Sequence, residues 1–178
     1  MTGSKYERRA EWHLDVAKRA TGDGCKAMLA DHSAKGMLQS GATLKRAVEI
    51  WSTQASLAVD AILTEFGAVI EKRGREWDRA MTAVLVAIDR HAATADADLA
   101  PTFRVASPLG GESGSAMIAV RKLLDAATES LRDRVSAYQE GWTAPRPKKW
   151  NERHPIAFAT VMALAGAGLA IAGRALIH

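Results

Sequence analysis

Apolar residues that recur at alternating steps of three and four between positions 44 and 95 constrain the fold more than any other feature of the sequence. This spacing places their side chains on one narrow stripe of an α-helix, the kind of stripe that packs along another helix. Apart from alanines, the stripe consists of Leu44, Val48, Trp51, Ile62, Phe66, Val69, Trp77, Met81, Val84 and Ile88. We expect Leu44, Val48, Trp51, Ile62, Phe66, Trp77, Met81 and Ile88 to form the interface of an antiparallel bundle or of an oligomeric coiled coil.

A charged segment, EKRGRE at positions 71–76, interrupts the stripe. Gly74 can end one helix and open a hairpin, or it can be tolerated inside one long helix at a cost of roughly 1 kcal/mol. No Asn, Asp, Ser or Pro accompanies the glycine, so the residues typical of a turn are missing. We favour one helix over residues 43–95, a rod of roughly 75 Å, with the hairpin as the alternative.

The flanking segments complete a helical domain over residues 42–141. Residues 96–114 hold two prolines and three glycines, which predicts a loop. A second stripe follows and predicts a helix over residues 115–140, with Ser113 or Ser115 as its N-cap. The members of that stripe are Met117, Val120, Leu124, Ala127, Leu131, Val135 and Tyr138.

The N-terminal residues 1–41 predict two short helices separated by the sequence TGDG at positions 21–24, because two glycines around an aspartate favour a turn.

The composition of the whole chain agrees with a helical fold, since alanine dominates the apolar residues and aromatic residues make up only 6 %. The one cysteine, Cys25, excludes an internal disulfide framework and fits a reducing compartment. The charged first residues lack the apolar core of a secretory signal.

The C-terminal segment is the main indication of location. Eighteen residues from Ile156 to Gly173 carry no charge, and we predict one transmembrane helix over residues 155–177. The six strongly apolar side chains contribute only about −2 to −3.5 kcal/mol to insertion, so the span is marginal. The alternatives are a central helix buried in a soluble bundle and a helix that lies in the membrane interface or in a partner.

A basic segment over residues 142–154 precedes this tail and predicts a juxtamembrane linker. Its tryptophans would lie at the lipid interface and its cations would contact anionic lipid. The membrane-surface residues predicted here are Trp142, Arg146, Lys148, Lys149, Trp150 and Arg153. The positive-inside rule places the N-terminal domain in the cytoplasm, and the Ala/Arg-rich composition suggests a bacterial inner membrane.

Small residues repeat at four-residue steps within the tail, a pattern that lets transmembrane helices approach each other closely. The predicted packing face consists of Ala159, Ala163, Gly166, Ala167 and Ala170. We therefore expect self-association of the tail.

No constellation of residues predicts catalysis, a cofactor or a metal. The alternating Glu11, His13 and Asp15 would be about 200° apart on a helix and could not converge on one ion. Cys25 is expected to be buried and unreactive rather than a lowered-pKa thiolate. The glycine-rich segment at positions 109–116 lacks the lysine of a P-loop. A cation site formed by Asp96, Asp98 and Glu112 is too irregular to predict.

The sequence thus predicts a non-enzymatic, membrane-anchored α-helical scaffold with self-association or a helical protein partner. A membrane-active effector, such as a pore-former, holin or phage ejection protein, is one alternative, because a marginal span could insert on cue. A soluble adaptor with a buried C-terminal helix is another. Nucleic acid is disfavoured as a partner, because the basic excess adjoins an apolar tail instead of following a helix face.

Overall fold

The computed structural model describes residues 4–106 and 114–144, and this part of the chain is all α-helical. It contains helices α1 (Lys5–Ala34), α2 (Gly41–Val69), α3 (Arg75–Ala106) and α4 (Ser115–Gly141) and no strand. The all-α prediction is confirmed. Residues Met1–Ala144 form one compact unit of the chain.

The four helices run alternately up and down. α2 and α3 contact each other and form a central pair, and both α1 and α4 pack against that pair. α1 and α4 make no contact with each other, so they occupy opposite sides of it. The positions of the interhelical ion pairs agree with these helix directions. The pairs are Arg9 with Glu65, Lys18 with Asp98, Arg134 with Asp60 and Arg132 with Asp89.

The predicted stripe lies in the core of this bundle. The eight predicted interface residues are buried inside one chain: Leu44, Val48, Trp51, Ile62, Phe66, Trp77, Met81 and Ile88. Val69, another member of the stripe, is exposed. The α4 stripe faces the same core through Val120, Leu124, Leu131 and Val135. Of the two predicted arrangements, the described residues adopt the antiparallel bundle.

The continuous helix predicted over residues 43–95 is wrong, because the chain turns between α2 and α3. Gly74 has φ +158°, a conformation that favours glycine, and its carbonyl accepts a hydrogen bond from the amide of Asp78 at 3.0 Å. The turn lets the two halves of the stripe pack against each other, which a straight rod could achieve only with another chain. The hairpin alternative is therefore correct, and each helix is roughly 40–48 Å long.

The turn predicted at TGDG is also wrong, since α1 passes through it without a break. Thr21 and Cys25 are buried on the same side of the helix, so packing holds this segment helical. A Cβ added at Gly24 would lie 2.9 Å from Cγ2 of Ile50. The glycine thus allows α1 and α2 to approach closely.

α1 ends where a glycine adopts the left-handed conformation. Gly36 has φ +67° and donates to the carbonyl of Ser33 at 3.1 Å, while Met37 donates to that of His32 at 2.8 Å. These two bonds are those of a Schellman cap. Ser40 then caps α2 by accepting from the amide of Thr43.

The first eleven residues of the loop predicted over residues 96–114 are helical instead, because α3 continues through Pro101 to Ala106. Leu99, Thr102 and Phe103 are buried along this extension, and their packing outweighs the helix-breaking tendency of the proline. The N-cap of α4 is Gly114, with no side-chain hydrogen bond. Ser113 lies outside the described residues, and Ser115 is the first residue of α4.

None of the four helices in the described residues is long and apolar enough to cross a membrane. The predicted span over residues 155–177 lies outside the described part of the chain.

Candidate functional site

The end of α4, where the chain leaves the described bundle, is held by an arrangement that we call the junction. It consists of Gly67 on α2, Arg73 in the α2–α3 turn, Trp77 on α3, and Tyr138 and Trp142 at the end of α4. The α2–α3 hairpin thus contacts the last turn of a helix that ends more than 60 residues later in the chain.

Aromatic stacking forms the centre of the junction. Trp77 is buried, and its ring centroid lies 4.1 Å from that of Trp142 with the planes at 30°. The ring of Tyr138 is 6.1 Å from that of Trp77 at 22°. Such pairs contribute about 0.5–1.5 kcal/mol each beyond the area they bury, so the stack fixes the end of α4 against α3.

Gly67 provides the space for Tyr138. A Cβ added at Gly67 would overlap the Tyr138 hydroxyl and would lie 3.0 Å from Nε1 of Trp142. α2 and α4 can therefore be this close only because position 67 has no side chain. Burial raises the pKa of Tyr138.

Arg73 binds the C-terminal carbonyls of α4. Its Nη2 donates to the carbonyl oxygen of Gln139 at 2.5 Å and to that of Trp142 at 3.1 Å, with a longer contact to Glu140 at 3.4 Å. The last carbonyls of a helix have no partner within the helix and carry partial negative charge, so a guanidinium is a favourable ligand. The turn between α2 and α3 thereby fixes the direction of the α4 end.

The predicted membrane-surface residues are only partly described. Trp142 is half-buried and packs against the core of the bundle, so its indole takes part in the junction. Five predicted surface residues lie outside the described part: Arg146, Lys148, Lys149, Trp150 and Arg153. The same holds for the predicted tail-packing face of Ala159, Ala163, Gly166, Ala167 and Ala170.

A second unusual environment surrounds His91 on α3, a residue that the sequence did not single out. Its imidazole is buried and stacks on Trp51, with ring centroids 5.2 Å apart and planes at 9°. Nε2 of His91 and Nε1 of Trp51 have no hydrogen-bond partner in the described structure. The spacing could have predicted this burial, because position 91 falls three residues after Ile88 and four before Ala95.

His91 also borders a groove of about 320 Å³ between α1 and α3. The charged residues that line the groove are Glu11, Asp15, Lys18 and Arg90. Burial lowers the pKa of His91, while Asp98 and Asp15 oppose the shift and Lys18 adds to it. Because Arg90 pairs with Glu11 and Lys18 pairs with Asp98 at 2.7 Å, the groove is bridged by ion pairs between the helices.

The residues weighed for metal or thiol chemistry do not come together. Glu11 pairs with α3, whereas His13 lies 2.9 Å from Glu65 on α2. Across residues 4–106 and 114–144, no group of three His, Cys, Asp or Glu side chains could hold a metal ion.

The remaining candidates are likewise separated or buried. Asp96 and Asp98 pair with Arg121 and Lys18 respectively, and Glu112 lies outside the described residues. Cys25 is buried, which raises the pKa of its thiol. The predicted burial of Cys25 is confirmed, and its lack of reactivity stays a prediction.

Comparison of the chain with protein-family models, with curated proteins and with solved structures found no match. The junction and the His91 environment therefore have to be interpreted from their own chemistry.

Proposed function

We propose that this chain is a membrane-anchored helical scaffold without a catalytic role. Its four-helix bundle would present a binding surface in the cytoplasm, and residues 155–177 would hold the bundle at the membrane. The observation that carries the proposal is that the four described helices bury their apolar stripes against one another. Eighteen uncharged residues after the linker then need an apolar environment of their own, and a bilayer provides one.

The closed core is an argument against the second alternative, a soluble adaptor. A soluble adaptor would have to bury the tail as a central helix, surrounded by apolar faces on all sides. Each described helix instead has one stripe, and those stripes already face the α2–α3 pair or its neighbours.

The junction also supports an anchoring role. An anchor positions a domain only if the chain leaves that domain at a fixed place and direction. Arg73 and Trp77 hold the last turn of α4 up to Trp142, so the segment that follows starts two residues beyond a fixed helix end. This is the arrangement expected of a bundle that is tethered rather than freely suspended.

Partner association would use the outer surface, because the stripe residues are occupied within the chain. Trp12, Val16 and Leu57 are exposed apolar side chains on the outer faces of α1 and α2. The antiparallel register of these helices brings Val16 and Leu57 to the same level along the bundle. A helical partner with an apolar stripe could pack there.

The test is fractionation of the expressed full-length chain followed by an alkaline carbonate wash of the membranes. The proposal requires the chain to stay in the washed pellet and to become soluble when residues 155–178 are deleted. A single charge in the tail gives a sharper comparison. Leu164→Arg adds about 2.5–3.5 kcal/mol to the cost of insertion, as much as all the strong apolar residues contribute, and should release the chain.

Leu164→Val is the matched control and should remain in the pellet. A full-length chain that is soluble before the wash would refute the anchor. Equal retention of the Leu164→Arg and Leu164→Val variants would show that the tail does not cross the hydrocarbon core.

A further inference from the structure

The turn between α2 and α3 combines an exposed apolar side chain with a local excess of positive charge. Val69 is 63 % exposed, the highest value among the large apolar residues of the described chain. Between positions 71 and 76 the turn has three basic residues, Lys72, Arg73 and Arg75, and two acids, Glu71 and Glu76, the second of which pairs with Lys5 of α1. All of these positions are exposed.

This turn lies at the same end of the bundle as the end of α4. Arg73 donates directly to the carbonyl of Trp142, two residues before the described chain ends at Ala144. The linker over residues 145–154 spans at most about 36 Å when fully extended. The opposite end of the bundle lies roughly 43 Å further away, the length of α2.

We infer that the end of the bundle formed by Val69, Lys72 and Arg75 rests on the surface of an anionic lipid bilayer. The inference depends on the proposed function, because the tail supplies the proximity. Lys72 and Arg75 would attract anionic headgroups, and Val69 would enter the boundary between headgroups and acyl chains. The bundle would then stand with its α2–α3 turn on the membrane and its α1–α2 turn facing away.

The opposite turn differs from it in position rather than in charge. Met37 is exposed there, at 41 %, Lys35 is paired with Asp31 at 2.8 Å, and Lys45 and Arg46 follow in the second turn of α2, where both pair with Glu49. This turn lies at the far end of the bundle from the end of α4. The two ends thus share an exposed apolar residue and basic side chains and differ in their distance from Ala144, which makes them a matched pair for an experiment.

The experiment places an environment-sensitive fluorophore on a single cysteine in the full-length chain. Cys25→Ala removes the native thiol, and Val69→Cys or Met37→Cys introduces the labelled one. Each protein is reconstituted into vesicles of phosphatidylcholine with or without phosphatidylserine. We expect the emission at position 69 to shift to the blue and to rise about twofold or more with phosphatidylserine, and the emission at position 37 to stay unchanged.

Charge variants test the electrostatic part. Lys72→Gln together with Arg75→Gln should abolish the response at position 69. The matched pair Lys45→Gln and Arg46→Gln, an exposed basic pair near the opposite end of α2, should leave the response intact. Arg73 is kept in both proteins because it holds the junction.

Flotation of the same vesicles separates the two proposals. Proteins that float with vesicles but show no change at position 69 would overturn the lipid contact and leave the anchor standing. Proteins that do not float would overturn both. A response at position 37 of equal size, or a response at position 69 to RNA but not to vesicles, would also overturn the inference.

Discussion

His91 illustrates how one buried polar side chain can tie the stability of the bundle to pH. Its imidazole is stacked on Trp51 inside the core, and Nε2 has no partner among the described residues. The environment offers little to stabilise an imidazolium ion, because burial outweighs the carboxylates of Asp98 and Asp15.

We therefore expect His91 to lower stability in acid. Because its pKa is lowered in the folded state, the unfolded chain binds the proton more readily as the pH falls below about 6.5. Stability from this group is thus present above that pH and is lost below it, by at most about 1.4 kcal/mol per pH unit. His91→Phe should remove this component and keep the stack on Trp51.

The measurement is urea unfolding of both proteins from pH 7.5 down to about pH 5. The difference in unfolding free energy between His91→Phe and the wild-type chain should grow as the pH falls. Other titrating groups are common to the two proteins and cancel in that difference. Parallel curves would contradict the assignment of an acid-sensitive role to His91.

Gly67 is the residue on which the junction depends most directly. Gly67→Ala would gain about 1 kcal/mol of helix propensity, but its methyl group would overlap the Tyr138 hydroxyl. Overpacking of this kind costs about 1–3 kcal/mol, so we expect net destabilisation in thermal unfolding. Gly22→Ala is the matched control, because that position has open space around it, and should be neutral or slightly stabilising.

A second substitution tests whether the Tyr138 hydroxyl causes the destabilisation by Gly67→Ala. Removing the hydroxyl with Tyr138→Phe should partly rescue Gly67→Ala, because the overlapping atom is gone. Rescue should be incomplete, since Cζ of Tyr138 would still lie 3.2 Å from the new Cβ and Nε1 of Trp142 would lie 3.0 Å from it. Strictly additive effects in this double-mutant cycle would place the strain elsewhere.

At the scale of single helices, the end of α1 depends on one left-handed residue. Gly36→Ala would force an L side chain into φ +67° and should lower the unfolding free energy by about 1–2 kcal/mol. Gly41→Ala, seven residues after the end of α1 and in the first turn of α2, has no such constraint and open space around it, so it should change stability little. Equal effects of the two substitutions in urea unfolding would show that the cap is unimportant.

The helices also show what the sequence could predict. The α4 prediction, residues 115–140, agrees with the structure to within one residue at its end, because its stripe is regular and glycines flank it. The two halves of the α2–α3 stripe were identified correctly, but the break at Gly74 was not. Local propensity cannot decide between a long helix and a hairpin when the deciding energy comes from packing of one half on the other.

Glycine and proline were misleading for a related reason. Gly24 indicated a turn, but it allows Ile50 of α2 to approach α1 closely. Pro101 indicated a loop, but buried Leu99 and Phe103 hold it in α3. The sequence could not predict the junction, because Gly67, Arg73 and Trp142 are brought together only by the fold.

At the scale of the molecule, most interhelical ion pairs in the described residues are exposed, including Arg134 with Asp60 and Arg132 with Asp89. Exposed pairs contribute little to stability. They join each outer helix to the central pair in one register, so their main effect is on which helices pair and in what direction. The stability of the bundle has to come from the apolar core.

Because stability comes from the apolar core, an aspartate should have different effects at a buried and at an exposed position of α2. Ile62 is 0 % exposed and Leu57 is 58 % exposed, yet both were candidates for contact with another helix. Ile62→Asp would bury a carboxylate without a partner, which costs several kcal/mol, a large part of the roughly 5–15 kcal/mol that stabilises a typical domain. We expect this variant to lose cooperative unfolding, whereas Leu57→Asp should unfold as the wild-type chain does.

Circular dichroism during thermal unfolding, together with light scattering, separates the two possible roles of the stripe. If Ile62 belongs to the core of one chain, its substitution abolishes the folded bundle at any protein concentration. If the stripe instead joined separate chains, Ile62→Asp would leave a folded monomer, and its transition would no longer depend on concentration. A well-folded Ile62→Asp monomer would therefore show that the bundle described here is not the unit that buries the stripe.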